Sequence, residues 1–218
     1  MFEYKGLKIH WLGQSGFKII SAGGKAVYID PYQIVPREPA DIIVITHDHF
    51  DHCNPDDVRR LIKSNTVIVT TKRCMAKLGR MDVQFIEIAP GLAFGVNDIQ
   101  IEAVAAYNTN KFRAPGVTYH PKQEGNIGVI LTIGGVRIYH AGDTDFILEM
   151  KSVRADVAMV PVSGTYVMTA EEAAQAVNAI KPDVAIPMHY GAGIAGSEKD
   201  AYNFQRMAKC KVEIMTKD

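Results

Sequence analysis

Within six positions the chain sets three imidazoles and two carboxylates, His47-Asp48-His49-Phe50-Asp51-His52. Three of its seven histidines lie in this stretch. Imidazole nitrogens and carboxylate oxygens are the ligands that zinc and similar divalent ions take. Crowded together without a cation, such groups cost several kcal/mol in desolvation and repulsion, so metal binding is the economical reading.

The flanking residues explain how these groups are placed. Ile42-Ile43-Val44-Ile45 is a β-branched apolar run long enough for a buried strand. After the polar stretch, Asn54-Pro55-Asp56-Asp57 reads as a helix start, with Asn54 as N-cap, Pro55 at the first helical position and acids in the first turn. Strand, loop and helix in that order put functional groups just beyond the carboxyl end of a strand, where α/β proteins build their sites.

Composition narrows the field. Of 218 residues, 47% are hydrophobic and 22% charged, as in an ordinary soluble globular protein. Lys+Arg and Asp+Glu both number 24, so no basic surplus points to nucleic acid. No stretch has the apolar length of a membrane span, and Met1-Phe2-Glu3-Tyr4-Lys5 lacks a signal-peptide core. The expectation is a cytoplasmic protein acting on a small molecule, with no nucleic-acid or membrane partner and no oligomeric state assigned. Cys53, Cys74 and Cys210 are far apart and odd in number, which argues against a disulfide framework. There is no G-x-S-x-G and no P-loop, so serine-hydrolase and nucleotide-binding mechanisms lack their parts.

Along the chain, strands are expected over 8–12, 17–20 and 26–29, the last two forming a hairpin that ends at Asp30-Pro31. A helix over 56–63, a strand over 66–70 and a helix over 72–78 follow. Strands over 84–88 and 99–105 are joined by the 91–98 connection, and 109–125 reads as a long loop. Gly134-Gly135 joins two strands in a primed-turn hairpin. A strand over 156–160 leads to a helix with a capping box, Thr169 as N-cap and Glu172 at N3. A strand from Val184, a helix over 197–209 and an edge strand over 212–215 close the chain.

The pattern H-x-H-x-D-H at His47, His49, Asp51 and His52 resembles the metal-binding signature of the metallo-β-lactamase superfamily. The order of elements resembles it over nearly the whole chain. The resemblance implies an α/β (α+β) fold, the four-layer αβ/βα metallo-β-lactamase sandwich, as a single domain over 1–218. Its nearest look is to small metal-dependent hydrolases of the sugar-lactonase-like branch.

By the same resemblance, Asp143 in His140-Ala141-Gly142-Asp143 is the carboxylate that bridges two metals, with Gly142 letting the backbone pass close to them. His189, delivered by an apolar strand, is the final metal-binding His. His47 and His49 then hold one metal, and Asp51, His52 and His189 the other. Where the family carries a further His, at the end of strand 99–105, this chain has Asn108, and an amide oxygen is a weak zinc ligand. Either His120 in Tyr119-His120-Pro121 folds back as substitute, or that metal site is weak or empty. Asp30 is either a hydrogen-bonding support of the metal loop or a turn former before Pro31. Tyr166 is either a donor to substrate or a packed aromatic.

The implied chemistry is that of a metal-dependent hydrolase with two zinc ions, manganese or iron being alternatives. A metal-bound hydroxide would cleave an ester, lactone or phosphodiester bond, with Asp51 also able to move a proton. The alternatives are a single-metal or catalytically weak metal-binding protein, and a diiron oxidoreductase on the same fold.

Overall fold

The computed structural model describes residues 1–35 and 38–218. The first sheet holds β1 (Phe2–Tyr4), β2 (Leu7–Gly13), β3 (Gly16–Ile20), β4 (Ala26–Ile29), β5 (Ile42–Ile45), β6 (Val67–Thr70) and β7 (Gln84–Glu87). They neighbour one another in chain order. The second begins with β8 (Ala93–Val96) and β9 (Ile99–Ala105); a separate ribbon of β10 (Phe112–Ala114) and β11 (Val117–Thr118) intervenes. It continues with β12 (Ile127–Ile133), β13 (Val136–His140), β14 (Val157–Pro161), β15 (Val184–Met188) and β16 (Lys211–Val212).

The two sheets repeat one plan. In each, the first four strands pair antiparallel and the rest pair parallel. The switch falls between β4 and β5 in the first sheet and between β13 and β14 in the second. Both switches lie beside the strand ends that carry the polar residues singled out above.

The layers follow from side-chain alternation. On β5, Ile42 and Val44 belong to the core shared with the second sheet, whereas Ile43 and Ile45 join a separate cluster with Val58, Leu61, Cys74 and Leu78. Successive strand residues point to opposite faces, so an all-apolar strand must be covered on both. The cover outside the first sheet is α1 (Pro55–Leu61) and α2 (Lys72–Leu78). Outside the second lie α3 (Ala170–Ile180) and α4 (Glu198–Met207), which contribute Ala173, Val177, Ile180 and Phe204. This is the expected αβ/βα sandwich.

Local signals worked as physics predicts. Asn54 Oδ1 accepts from the backbone N–H groups of Asp56 and Asp57, with Pro55 opening α1. Thr169 and Glu172 form the reciprocal capping box of α3. Gly134 and Gly135 both have positive φ, +57° and +81°, as the two-residue turn demands. Besides β1, a strand beyond those expected, three regions differ. The 91–98 connection contains β8, whose first three residues are exposed and so show no apolar alternation. The 109–125 loop holds the β10–β11 ribbon and a 3-10 turn over Lys122–Glu124. The closing strand covers only Lys211–Val212, with one further backbone bond from the Glu213 N–H to the Ala185 carbonyl. Among the described residues, no helix is long and apolar enough to cross a membrane.

Candidate metal centre

The ends of β5, β13 and β15 and the turn around His120 bring seven side chains to one place. His47, His49, His120 and Asp143 form one group whose potential ligand atoms lie within 4.8 Å of one another. Asp51, His52 and His189 form a second by the same measure. Asp143 touches both: its Oδ2 lies 3.4 Å from His120 Nε2 and 3.1 Å from His189 Nε2, and its Oδ1 lies 3.3 Å from His52 Nε2. Six of the seven residues are buried, and His49 is half-buried.

Four of the five imidazoles are turned by a bond on the far nitrogen. His52 Nδ1 donates to Asp30 Oδ2 at 2.8 Å. Asp30 also accepts from the Thr46 backbone N–H and from Thr46 Oγ1, and that hydroxyl lies 3.0 Å from His47 Nδ1. Ser163 Oγ lies 3.0 Å from His189 Nδ1. His120 Nδ1 lies 2.9 Å from Asn108 Oδ1. With Nδ1 engaged in all four, Nε2 is the atom each ring offers inward. His49 instead offers Nδ1, which lies 3.1 Å from His120 Nε2.

Several of the inward atoms make no hydrogen bond. His47 Nε2, His52 Nε2 and Asp143 Oδ1 are buried without a hydrogen bond among the described residues. Orphaned buried polar atoms are rare and costly, and three aimed at one another's neighbourhood suit a divalent cation. The nitrogen-and-oxygen donor set, with carboxylate, imidazole and a supporting carboxylate behind, fits such an ion.

The electrostatics agree with that fit. Burial, joined by the neighbouring His52 charge, holds His47 well below the usual imidazole value. Burial and His120 hold His49 at about 4. For His52 burial works downward, but Asp143, Asp51 and Asp30 outweigh it and raise the group well above its ordinary value. Burial pushes the Asp51 carboxyl up, yet His52 and His189 pull it to about 2. Asp143 is likewise held well below the carboxylate range, burial being overcome by His189 and His52. Around neutrality two rings are neutral and both carboxylates ionised, the forms that bind metals.

The structure places both residues of the Asn108 gap. His120 folds back into the first group and is 1% exposed. Asn108 is not among the converging side chains. Its Oδ1 accepts from the His120 backbone N–H, and its Nδ2 donates to Asp145 Oδ1 and the Tyr166 carbonyl. Asp30 stands behind the metal loop rather than serving only as a turn former. Tyr166 packs edge-on against Tyr119, ring centroids 4.8 Å apart, at the cavity above the cluster. His140 accepts from the Gly142 N–H through Nδ1 and lies 2.8 Å from the Ser15 carbonyl through Nε2, so it braces the turn before Asp143. Gly142 is needed for a reason other than closeness to metals. With φ +64°, a Cβ there would stand 2.5 Å from the Ile127 carbonyl oxygen.

Two contributors escaped sequence reasoning. Gln14, in the turn after β2, donates from Nε2 to Asp51 Oδ2 at 2.8 Å. Ser163, after β14, reaches His189. Both follow strand ends, but an amide and a hydroxyl in polar turns carry no metal-ligand signal. The backbone marks Gln14 but not Ser163: Gln14, like Asp30 and His189, has a positive φ (+51°, +44° and +61°), a conformation that costs a non-glycine residue about 1–3 kcal/mol and gathers at functional sites.

A cavity of about 430 Å³ opens onto the cluster. His49, Asp51, His120 and Asp143 face it, with Phe50, Tyr119, Tyr166, Gly193 and Ile194 around them.

Comparison with known proteins places this architecture. A family profile described as "Beta-lactamase superfamily domain" matches residues 8–189. A UPF0173 metal-dependent hydrolase of Thermoplasma acidophilum is 33% identical over 198 residues, covering 84% of this chain and 83% of the relative. Another from Archaeoglobus fulgidus is 32% identical over 224 residues, covering 94% and 92%. A crystal structure from Parabacteroides distasonis, whose description proposes a metal-dependent hydrolase, superposes with a TM-score of 0.83 at 31% identity, covering 95% of this chain and 92% of that one. Igni18, a metallo hydrolase of Ignicoccus hospitalis, shares the fold at a TM-score of 0.75 and 23% identity, covering 96% and 94%. With the strand-end histidines and carboxylates converging and the profile spanning most of its length, this chain belongs to the β-lactamase superfamily and has the metallo-β-lactamase fold.

Proposed function

We propose that this protein is a metal-dependent hydrolase that cleaves an ester, lactone or phosphodiester bond of a small molecule in the cytoplasm. The observation that carries the reading is Asp143, a buried carboxylate within 3.4 Å of ring nitrogens from both ligand groups. His47, His49 and His120 would hold one divalent ion, Asp51, His52 and His189 a second, with Asp143 shared. Zinc suits the imidazole-rich set, and manganese or iron would also be accepted. Such ions, when bound, supply a Lewis acid and bring the pKa of water toward neutrality.

The chain's own residues do the rest. Asp30, Thr46, Asn108 and Ser163 fix which nitrogen each imidazole presents. Gln14 pins the Asp51 carboxylate, and a carboxyl held at about 2 serves as an ionised ligand and acceptor rather than as a proton carrier near neutral pH. Tyr166, with Tyr119, forms a wall for the substrate. The relatives' description as metal-dependent hydrolases supports the same assignment.

Elemental analysis of protein purified without added metal tests the reading, paired with p-nitrophenyl ester hydrolysis before and after chelation. Two ions per chain with chelator-sensitive hydrolysis is the expected result. Full activity in metal-free protein would overturn it.

A further inference from the structure

The cavity above the cluster has a chemical character of its own. Phe50, 59% exposed, stands on its rim with the rings of Tyr119 and Tyr166 and the side chain of Ile194. Phe50 is braced edge-on by Tyr32, centroids 5.9 Å apart, so an exposed aromatic is held in place rather than turned away. An exposed apolar ring costs solubility unless it meets a partner, and here its neighbours leave it facing the opening.

Charge is distributed the opposite way. Among the described residues, no lysine or arginine lines this cavity. Four cations on the surrounding segments are bound to the protein's own acceptors: Arg73 to Asp48 and Glu124, Lys77 to the Asp48 carbonyl, Lys111 to Glu172 and Lys122 to Glu149. A phosphate or carboxylate on the substrate's distal part would leave water without a paired cation from these residues, which is unfavourable. An apolar group would gain from the ring wall. The volume of about 430 Å³ suits a compact group and not a long chain.

Resting on the hydrolase reading above, we infer that the substrate is a neutral carboxylic ester or lactone that places a compact apolar acyl group against Phe50, Tyr119 and Tyr166. Acyl groups bearing their own anion are disfavoured. Water adds to the carbonyl carbon, the bond from that carbon to the ester oxygen breaks, and the products are a carboxylate, an alcohol and one proton released to solvent.

The test uses the full chain reconstituted with zinc, its metal content counted. Substrates are p-nitrophenyl acetate, p-nitrophenyl butyrate, mono-p-nitrophenyl succinate and bis(p-nitrophenyl) phosphate. Two added methylenes should raise kcat/KM from acetate to butyrate about tenfold, and the succinate carboxylate should cost at least about tenfold relative to butyrate. Phe50→Ala, at an exposed position that folding tolerates, should erase about threefold of the butyrate preference. Equal or better use of the succinate, or a lower KM for the phosphodiester than for butyrate, overturns the substrate class while leaving a metal-dependent hydrolase. If no compound turns over with two ions bound, the hydrolase reading fails. The pocket's preference is then read from binding to metal-free protein by NMR. Shifts at Tyr119 and Tyr166 with 4-phenyl-2-butanone, weakened in Phe50→Ala, support it; tighter binding of phenyl phosphate, or no shift with the ketone, overturns it.

Discussion

Asn108 holds His120 by two contacts from a single oxygen. Its Oδ1 accepts the His120 backbone N–H at 2.8 Å and lies 2.9 Å from His120 Nδ1. The amide is itself oriented, since its Nδ2 donates to Asp145 and to the Tyr166 carbonyl. The residue occupying the expected ligand position thus positions a candidate ligand from another segment. Asn108→Ala leaves two buried donors on His120 unpaired, a cost of about 1–3 kcal/mol. It should also weaken the metal held by His47, His49 and His120 by roughly 10–100-fold, the usual penalty for losing a ligand's outer partner. Asn108→Asp restores the acceptor but sets a second carboxylate beside Asp145, so it should recover only part of the affinity. Metal titration of the three proteins checks this; wild-type affinity in Asn108→Ala would remove Asn108 from the site.

That relationship also marks the limit of sequence reasoning here. The ligand loop after β5 was legible because its donors are consecutive and preceded by an unbroken apolar strand. Asp143 and His189 were legible because apolar strands deliver them. His120 was ambiguous, since it sits in a Pro- and Gly-containing segment with no periodicity, and only the tertiary path of 109–125 brings it 3.1 Å from His49. Gln14 and Ser163 were invisible as site residues because their work is done on other side chains. The strands followed their apolar patterns, while β8 and the short β16 are edge elements, where partial exposure blurs the pattern.

Removal of Asp143 should affect both ligand groups at once. Its two oxygens lie within 3.8 Å of His47, His52, His120 and His189. In Asp143→Ala those rings lose their common counter-charge, and the metal content should fall below one ion per chain. His189→Ala, which spares the first group, should retain about one ion. Elemental analysis distinguishes the two; equal metal content in both variants would rule out a shared carboxylate.

Gly142→Ala should act through the backbone alone. The new Cβ would meet the Ile127 carbonyl oxygen at 2.5 Å in a left-handed conformation. Strain and overpacking together predict a loss of about 3 kcal/mol or more. For a chain of this size that is a fall in melting temperature of roughly 6–12 °C. Calorimetry on metal-free protein measures it, and a shift of only a degree or two would show that the turn relaxes at little cost.

His52 should carry the proton that metal uptake expels. In the metal-free protein its value is raised well above that of a free imidazole by Asp143, Asp51 and Asp30 despite burial, whereas His47 is lowered well below and His49 lies at about 4. The signs give a peaked stability curve. For His52 the folded state binds its proton more tightly than the unfolded state, so its contribution is complete below the unfolded value of about 6.5 and is lost as pH rises through the folded one. For His47 and His49, and for His140, which burial also lowers, the unfolded chain binds protons that the folded chain refuses. Their contribution is complete above about pH 6.5 and is lost as pH falls, at about 1.4 kcal/mol per pH unit for each group in play. Metal-free protein should therefore be most stable near pH 6.5 and weaken on both sides. A ligand must be deprotonated to bind, so zinc uptake at pH 7 should release the His52 proton in addition to any given up by metal-bound water. Titration calorimetry in buffers of different ionisation enthalpy counts the release, and His52→Asn should lower it by about one proton and remove the alkaline loss of stability. Proton release unchanged in that variant would assign the proton to another ligand.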